Sequence, residues 1–301
     1  MSYQHRNVTV ILLALMAAPL VEATSAHTWV GGNGNDSNAG TQTSPYATFQ
    51  TAVNNTSAGG LVSVASPGDF GAVTISHSIT IDGGGIGGSI TFTGAEGIYV
   101  YASTSDTITL RHLTVNGLGV GQYAIYLSQG LNYVIEDCHL ENFTTIGIGL
   151  QSSSTANVVV RNTTITGGQI GVRTYQSSGQ VNYDSLSLRN VSISGASGAG
   201  VFSRNGIMEI SDSIITQSYV GVEADTSAYI NVANSVISLN GTDEEAFTGG
   251  TIYVSNNNTL YANNGTGGAS GGGLMSVVDS RAMRAGSVAP PPPDKPRQHR
   301  Q

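Results

Sequence analysis

A short pattern of apolar and small polar residues recurs along most of this chain, and its spacing restricts the fold more than any other feature. One copy reads VVVRNTTITGG at residues 158–168: an apolar strand position precedes an outward residue, a small polar corner and a second apolar strand position. The corner residues of six copies lie 25, 25, 28, 22 and 22 residues apart, and they are His112, Asp137, Asn162, Asn190, Asp212 and Asn234. Units of this length cannot bury their own apolar face, so they must stack on one another.

A second alternating pattern runs in register with the first. Its seven copies are GIYVY (97–101), AIYLS (124–128), GIGLQ (147–151), GVRTY (171–175), GVFSR (200–204), GVEAD (221–225) and TIYVS (251–255). Each unit is therefore predicted to hold two short strands joined by polar turns, without helical periodicity. Parallel stacking of such coils predicts an all-β fold, a right-handed parallel β-helix (a single-stranded β-solenoid).

The register also predicts which side chains lie inside. The second residues of the GIYVY copies are all β-branched: Ile98, Ile125, Ile148, Val172, Val201, Val222 and Ile252. The other strand aligns Val115, Leu140, Ile165, Ile193, Ile215 and Ile237 in the same way. Coils about 4.8 Å apart would stack like side chains into continuous columns. Asn and Asp at the corners tolerate a left-handed backbone, and their side chains can pair from coil to coil.

The N-terminus has the features of a secretory signal. The basic segment MSYQHR precedes an apolar run, VTVILLALMAAPLV, that is too short to span a bilayer comfortably. We expect cleavage after Ala23 or Ala26, so that residues 1–26 form the signal peptide. The mature chain is then predicted to be secreted, periplasmic or held at the cell surface, and to lack a membrane span.

The remaining chain divides into a covered solenoid and a tail. Residues 27–58 are predicted to cap the first coil, with a short amphipathic helix around residues 46–53, and the β-helix domain extends over 27–267. Beyond it, residues 268–301 are rich in Gly and Pro and include four consecutive prolines. That composition predicts a disordered tail.

Charge and cysteine content exclude several kinds of partner and site. Only 10% of the residues are charged, the formal net charge is −8, and Lys295 is the only lysine. This composition argues against a nucleic-acid partner. The single cysteine, Cys138, excludes an intrachain disulfide framework and a cysteine-based metal site.

Two local motifs favour structural interpretations. The run GGGIGG (83–88) resembles a dinucleotide fingerprint, but the strand-like segment SITFTG follows it where that fingerprint needs a helix, so it is predicted to be a turn. Asp36 and Asn38 carry oxygen atoms suited to calcium, yet a loop-stabilising role is favoured for them. We therefore predict no metal site.

The outward positions of the GIYVY strands form the most informative surface. They collect two arginines, two carboxylates and six aromatic rings in a chain of low charge: Tyr99, Tyr101, Tyr126, Gln151, Arg173, Tyr175, Phe202, Arg204, Glu223, Asp225 and Tyr253. Aromatic rings stack on sugars, and guanidinium groups pair with uronate carboxylates. The predicted ligand-binding residues are Tyr99, Tyr101, Tyr126, Arg173, Tyr175, Phe202 and Arg204.

An alternative interpretation is that this is ordinary strand surface. Tyrosine is common on exposed strands, and Arg204 would then pair with a neighbouring acid. A second outward row, formed by Arg111, Glu136, Arg161 and Arg189, is typical of a solvated charge ladder.

Several segments resemble those of a known superfamily. The openings GNGNDSN, TSPYATFQTAV and GDFGAVTISHSITIDG, and the later GGTIYVSNNNTLYANNGT (249–266), are similar to exported bacterial β-helix proteins of undefined function. These belong to the pectate-lyase-like right-handed parallel β-helix superfamily. Many such relatives carry a cysteine pair at the positions of Gly40 and Tyr46, so that staple is absent here.

The resemblance implies two classes of function. The favoured one is a non-catalytic exported protein that binds polysaccharide or a cell-surface glycan, or that serves as a surface scaffold, without a cofactor. The other is a polysaccharide lyase or glycoside hydrolase. Lyases of this fold use Lys or Arg as the base, usually with calcium, so Arg173 or Arg204 would serve here. Acid/base catalysis by Glu223 with Asp225 also stays open.

Overall fold

The computed structural model describes residues 25–152, 155–176, 184–247, 249–255, 257–261, 268–269 and 274–277. Ala23 and most of the predicted tail lie outside these ranges, whereas Ala26 lies within them. Within them, the chain winds into coils whose strands stack in parallel on three sheets.

The strands follow one another around each coil from sheet 2 to sheet 1 to sheet 3. Sheet 1 contains β1 (Ser25–Gly31), β2 (Thr56–Ser66), β5 (Ile79–Asp82), β8 (Thr107–Arg111), β11 (Asn132–Glu136), β14 (Asn157–Arg161), β17 (Asp184–Arg189), β20 (Gly206–Ser211), β23 (Tyr229–Ala233), β26 (Thr251–Val254) and β29 (Leu274–Val277). Sheet 2 contains β4 (Val73–Ile75), β7 (Glu96–Tyr101), β10 (Tyr123–Gln129), β13 (Ile146–Leu150), β16 (Ile170–Tyr175), β19 (Ala199–Arg204), β22 (Val220–Asp225), β25 (Thr242–Ala246) and β28 (Gly268–Ala269). Sheet 3 contains β3 (Gly68–Asp69), β6 (Gly88–Thr91), β9 (Leu113–Asn116), β12 (His139–Phe143), β15 (Thr164–Gly167), β18 (Ser192–Ser194), β21 (Ile214–Thr216), β24 (Val236–Ser238) and β27 (Thr259–Tyr261).

The corner residues explain why each coil has three strands rather than the predicted two. All six lie in the left-handed region, with φ between 51° and 55°: His112, Asp137, Asn162, Asn190, Asp212 and Asn234. Each one sharply turns the chain from a sheet 1 strand into a sheet 3 strand, so the repeated motif spans two sheets. The predicted side-chain pairing also occurs, since the amide of Asn190 donates to the side-chain oxygen of Asn162 at 2.9 Å.

The predicted interior columns are confirmed over six coils. In sheet 2 the stacked residues are all fully buried: Ile98, Ile125, Ile148, Val172, Val201 and Val222. The sheet 3 column from Val115 to Ile237 is equally buried. These aliphatic columns form a single continuous core along the axis.

The seventh member of the sheet 2 column was predicted incorrectly. Ile252 and Tyr253 lie on β26, which pairs with β23 in sheet 1. The strand that continues sheet 2 is β25, and it places Glu244 beside Val222. The segment TIYVS has the same alternation as the sheet 2 strands, but its position in the coil differs.

A short helix covers the first coil, as predicted. Helix α1 (Phe49–Asn54) buries Phe49, Ala52 and Val53 against the core. Its N-cap residue is Thr48, whose side chain accepts a hydrogen bond from the backbone nitrogen of Thr51. Among the described residues no helix is long and apolar enough to cross a membrane.

The loop before α1 is held by Asp36, which confirms the structural interpretation of that residue. Its Oδ1 accepts hydrogen bonds from the backbone nitrogens of Ala47 and Thr48, both at 2.9 Å. The Tyr46 ring packs directly over Gly40, where a Cβ atom would lie 2.1 Å from the ring. An aromatic contact therefore joins these two positions of the loop.

Parallel pairing continues beyond the predicted end of the solenoid at residue 267. Strand β28 pairs with β25, and β29 pairs with β26 over all four of its residues. The segment LMSV at 274–277 thus continues the pairing of sheet 1. Residues 278–301 lie outside the described part of the chain.

Candidate functional site

The outward side of sheet 2 brings most of the predicted site residues together. We call this surface the sheet 2 face; its members are Tyr99, Tyr101, Tyr123, Tyr126, Gln151, Arg173, Tyr175, Phe202, Arg204, Glu223, Asp225 and Glu245. One row follows the register from Tyr99 to Tyr126, Gly149, Arg173, Phe202, Glu223 and Glu245. Tyr253 is absent from this face, because it lies on sheet 1.

Four tyrosines form a cluster at the N-terminal end of the sheet 2 face. The Tyr99 and Tyr126 rings are nearly parallel, with centroids 5.8 Å apart and an interplanar angle of 11°. Tyr101 stacks on Tyr99 at 6.4 Å, and Tyr123 lies 5.2 Å from Tyr126. The cluster presents a broad aromatic surface, and its Tyr101 side is the most open, with 57% of that residue exposed. Burial raises the pKa of Tyr126, so its hydroxyl is neutral and can donate hydrogen bonds.

Two arginines occupy the middle of the face, and both lie close to the same tyrosine ring. The guanidinium carbons of Arg173 and Arg204 lie 5.7 Å and 5.3 Å from the Tyr175 ring centroid. Arg173 also donates to Oε1 of Gln151 at 3.5 Å. The ring orients both cations, since guanidinium groups are attracted to aromatic faces.

The two arginines differ in their acidic partners. Nε of Arg204 lies 3.6 Å from Oδ2 of Asp225, which confirms the alternative prediction that Arg204 pairs with a neighbouring acid. Arg173 has no carboxylate within 4 Å among the described residues, whereas the other described arginines each have at least one. The Nε atom of Arg173 is buried, and none of the described residues forms a hydrogen bond with it. Arg173 is therefore the unneutralised cation of the sheet 2 face.

Three carboxylates follow at the C-terminal end of the face. Glu223 is the register neighbour of Glu245, and Asp225 lies two residues further along the same strand. Burial raises the pKa of Glu223 to about 7, and the negative charges of Glu245 and Asp225 add to that rise. Glu223 can therefore exchange a proton near neutral pH, as a general acid or base requires.

Two members of the face could not be anticipated from the strand pattern. Tyr123 precedes Tyr126 by three residues, which does not fit strict alternation. Glu245 belongs to TDEEA at 242–246, whose inward position carries Glu244 rather than a β-branched residue. Three acidic residues within five positions of a sparsely charged chain could have indicated that Glu245 belongs to a charged surface.

The second outward row is the predicted charge ladder. Glu136 lies between Arg111 and Arg161, with Arg111 at 3.9 Å and Arg161 in direct contact. Arg111 also pairs with Asp82 at 2.9 Å, and Arg189 lies 3.5 Å from Asp212. The Arg189–Asp212 pair is exposed on both sides, and an exposed pair of this kind contributes roughly 0.2–1 kcal/mol. The arginines of this row reach solvent and each is paired, whereas the Asp82 and Glu136 carboxylates are mostly buried between them.

Metal-ligating groups do not cluster in the described ranges, where no set of three or more His, Cys, Asp and Glu side chains could hold an ion.

The Gly-rich run at 83–88 forms a turn that enters β6, as predicted.

Comparisons with known proteins support the fold. Residues 42–185 match the family model of the right-handed β-helix region. Pectate lyase Pel9A is 14% identical in sequence to this chain. The match with its crystal structure covers 89% of this chain and 81% of the lyase, with a TM-score of 0.54. A rhamnogalacturonan lyase is 13% identical, and the match covers 78% of this chain and 73% of the lyase, with a TM-score of 0.46. The A-module of the Azotobacter vinelandii mannuronan C-5 epimerase AlgE6 is 12% identical, and the match covers 73% of this chain and 91% of the module, with a TM-score of 0.45. No curated protein matches the sequence. At these identities the likeness concerns the fold alone.

Proposed function

We propose that this right-handed parallel β-helix protein, which shares the pectate-lyase-like fold, is an exported non-catalytic protein that binds a linear acidic polysaccharide. The ligand would run along the coil axis over the sheet 2 face. Pectate lyase Pel9A acts, by its name, on an acidic polysaccharide, and the shared fold offers the same kind of long side surface. A role as a surface scaffold is compatible with this binding.

Arg173 is the observation that carries the proposal. A cation that no described carboxylate neutralises, held against Tyr175 and Gln151, is available to an external anion. Guanidinium groups bind carboxylates through paired hydrogen bonds, and the adjacent tyrosine rings can stack on sugar rings. Coils about 4.8 Å apart set these groups in a line suited to a chain-like ligand.

The charge distribution also limits where an acidic ligand can lie. The acids Glu223, Asp225 and Glu245 would repel a uronate, so the acidic part of the ligand should cover the coils from β7 to β19. The net charge of −8 disfavours non-specific binding of polyanions. Binding should therefore depend on the local site around Arg173.

Calorimetry with oligogalacturonate and the mature chain tests this proposal. The double change Arg173→Ala and Arg204→Ala should abolish binding while leaving the melting temperature unchanged. Arg189→Ala is the matched control, because Arg189 is exposed on sheet 1 and should not affect binding. Absence of binding by the parent chain, or unaltered binding by the double variant, would refute the proposal.

A second candidate function rests on Glu223. A carboxyl group with a pKa of about 7 beside two other acids is a feature of acid/base catalysis, so glycoside hydrolysis is the alternative. A lyase that uses Arg173 as its base, with calcium, is the other enzymatic form. New reducing ends, lost in Glu223→Gln, would favour the hydrolase. Unsaturated uronate, lost in Arg173→Ala, would favour the lyase.

Export is the remaining element of the proposal. Cleavage after Ala23 would leave β1 whole, whereas cleavage after Ala26 would remove Ser25, whose backbone nitrogen donates to the Asn55 carbonyl at 3.0 Å. We therefore favour Ala23 as the cleavage site. The intact mass of the chain recovered from the periplasm or medium decides between the two sites, and retention of residues 1–23 would contradict export by this route.

A further inference from the structure

A separate groove lies on the outward side of sheet 1, near its C-terminal end. It has a volume of about 690 Å³ and is open to solvent. Its outward-facing lining residues come from three consecutive coils, and we call them the sheet 1 groove: Ile207, Glu209, Tyr229, Asn231 and Tyr253. Sheets 1 and 2 are different sides of the coil, so none of these residues belongs to the sheet 2 face.

Two tyrosine rings form the apolar wall of the groove. The Tyr229 and Tyr253 centroids are 4.8 Å apart at an angle of 34°, and Tyr229 is 45% exposed. A hydrogen bond with Tyr253 raises the pKa of the Tyr229 hydroxyl. Ile207, 40% exposed, extends the wall by one more coil through its register with Tyr229. Tyr253 lies in the neighbouring register row, so the preorganised apolar strip crosses the three coils obliquely.

The register row that ends at Tyr253 also carries polar groups beside the strip. Glu209 and Asn231 are exposed register neighbours, and Asn231 is in turn the register neighbour of Tyr253. An amide both donates and accepts hydrogen bonds, and a carboxylate accepts them. A strip of rings flanked by such groups matches a sugar chain, whose C–H faces are apolar and whose edges carry hydroxyls.

The charge of the groove distinguishes its ligand from that of the sheet 2 face. No Arg or Lys is among the described residues that line it, and Glu209 supplies a negative charge. A uronate would be repelled there, whereas a neutral sugar offers hydroxyl donors to the carboxylate. We infer that the sheet 1 groove is a second binding site, specific for a neutral oligosaccharide chain, in which Tyr229 and Tyr253 stack on the sugar rings.

Calorimetry on the full mature chain tests this site with cellohexaose, xylohexaose and mannohexaose as neutral probes. At least one should bind, and Tyr229→Ala should weaken it roughly tenfold because one ring of the strip is lost. Tyr229→Phe should retain most of the affinity, since the ring stays. Tyr219→Ala is the matched control: Tyr219 is 69% exposed but lies outside the groove.

Two further variants distinguish neutral binding in the sheet 1 groove from acidic binding on the sheet 2 face. The double change Arg173→Ala and Arg204→Ala should leave neutral binding intact, and Glu209→Gln should relieve the exclusion of oligogalacturonate from the groove. The inference is overturned if no neutral probe binds, or if Tyr229→Ala and Tyr219→Ala have equal effects. It is also overturned if Tyr229→Ala changes the sedimentation of the unliganded chain, which would make the groove a self-association surface.

Discussion

Glu244 is the register neighbour of Val222, so a carboxyl group occupies the interior position that an aliphatic side chain fills in the preceding coils. Glu244 is 2% exposed, and its Oε1 has no hydrogen-bond partner among the described residues. Burial raises its pKa to about 8, with a further contribution from Asp243. The interior therefore holds this group in its protonated form at neutral pH.

Stability should accordingly fall as the pH rises. The folded-state pKa of Glu244 exceeds the ordinary value of 4.5, so its favourable contribution is complete below about pH 4.5 and is lost as the pH passes through 8. Asp184 and Glu223, with pKa values raised to about 6 and about 7, act in the same direction. Melting temperatures between pH 5 and pH 9 should therefore decline.

The variant Glu244→Gln should flatten that decline, because the amide does not ionise. Glu209→Gln is the control, since Glu209 is exposed and should leave the pH dependence unchanged. A parent chain that melts at higher temperature at pH 9 than at pH 5 would contradict a buried, protonated Glu244.

The interior register is tested by two substitutions in neighbouring positions. Ile148→Asp places an unpaired charge in the fully buried sheet 2 column and should prevent soluble folding. Gln151→Asp changes an exposed side chain and should alter the melting temperature little. Comparable effects of the two changes on soluble yield and melting would refute the register.

The corner column predicts a difference between two replacements of Asn162. Its φ of 51° suits glycine but strains a β-branched residue. Both variants lose the hydrogen bond from Asn190, so that loss cancels in the comparison. Only backbone strain then separates them, and the Asn162→Val protein should be less stable than the Asn162→Gly protein by about 1–2 kcal/mol. Urea unfolding of the two variants measures this difference. Equal midpoints would mean that the corner tolerates ordinary strand geometry.

The last strand predicts an effect of truncation. A chain that ends at Gly268 lacks β29, whose four residues pair with Thr251–Val254. Its melting temperature should be lower than that of a chain ending at Ser280, because the edge of β26 is left unpaired. Identical melting of the two chains would show that β29 adds nothing to the solenoid.

Ionic strength should distinguish the two proposed ligand sites. Oligogalacturonate binding near Arg173 should weaken severalfold between about 20 and about 200 mM NaCl, because salt screens exposed charges beyond roughly 10 Å. Binding of a neutral oligosaccharide to the sheet 1 groove should change little. Calorimetric titrations at both salt concentrations measure this contrast, and salt-independent uronate binding would argue against a role for Arg173.

The parts of the fold that depend on local chemistry could be predicted from the sequence. Corner Asn and Asp residues and β-branched columns follow from backbone preference and stacking, and both are confirmed. The third strand was missed because a single left-handed residue separates two strands without a loop. Tyr253 was misplaced for a related reason: alternation identifies a strand but not the side of the coil on which it lies.

The site was less predictable than the fold. The rows of the sheet 2 face follow from the register, so its predicted members apart from Tyr253 do share one surface. Which arginine is neutralised depends on side-chain distances that spacing does not reveal. Glu244 broke the pattern because a buried acid can be accommodated by protonation, and apolar periodicity has no means of anticipating that.

Each strand pairs only with the strands one coil before and one coil after it. Stability in such an arrangement is approximately a sum over adjacent coils, and a whole coil can be duplicated or deleted as one unit. The 22-residue step from Asp212 to Asn234 is such a unit, since both ends have the same corner conformation. Evolution can therefore lengthen or shorten a ligand-binding side of this molecule in steps of about 4.8 Å, the thickness of one coil, without redesigning its core.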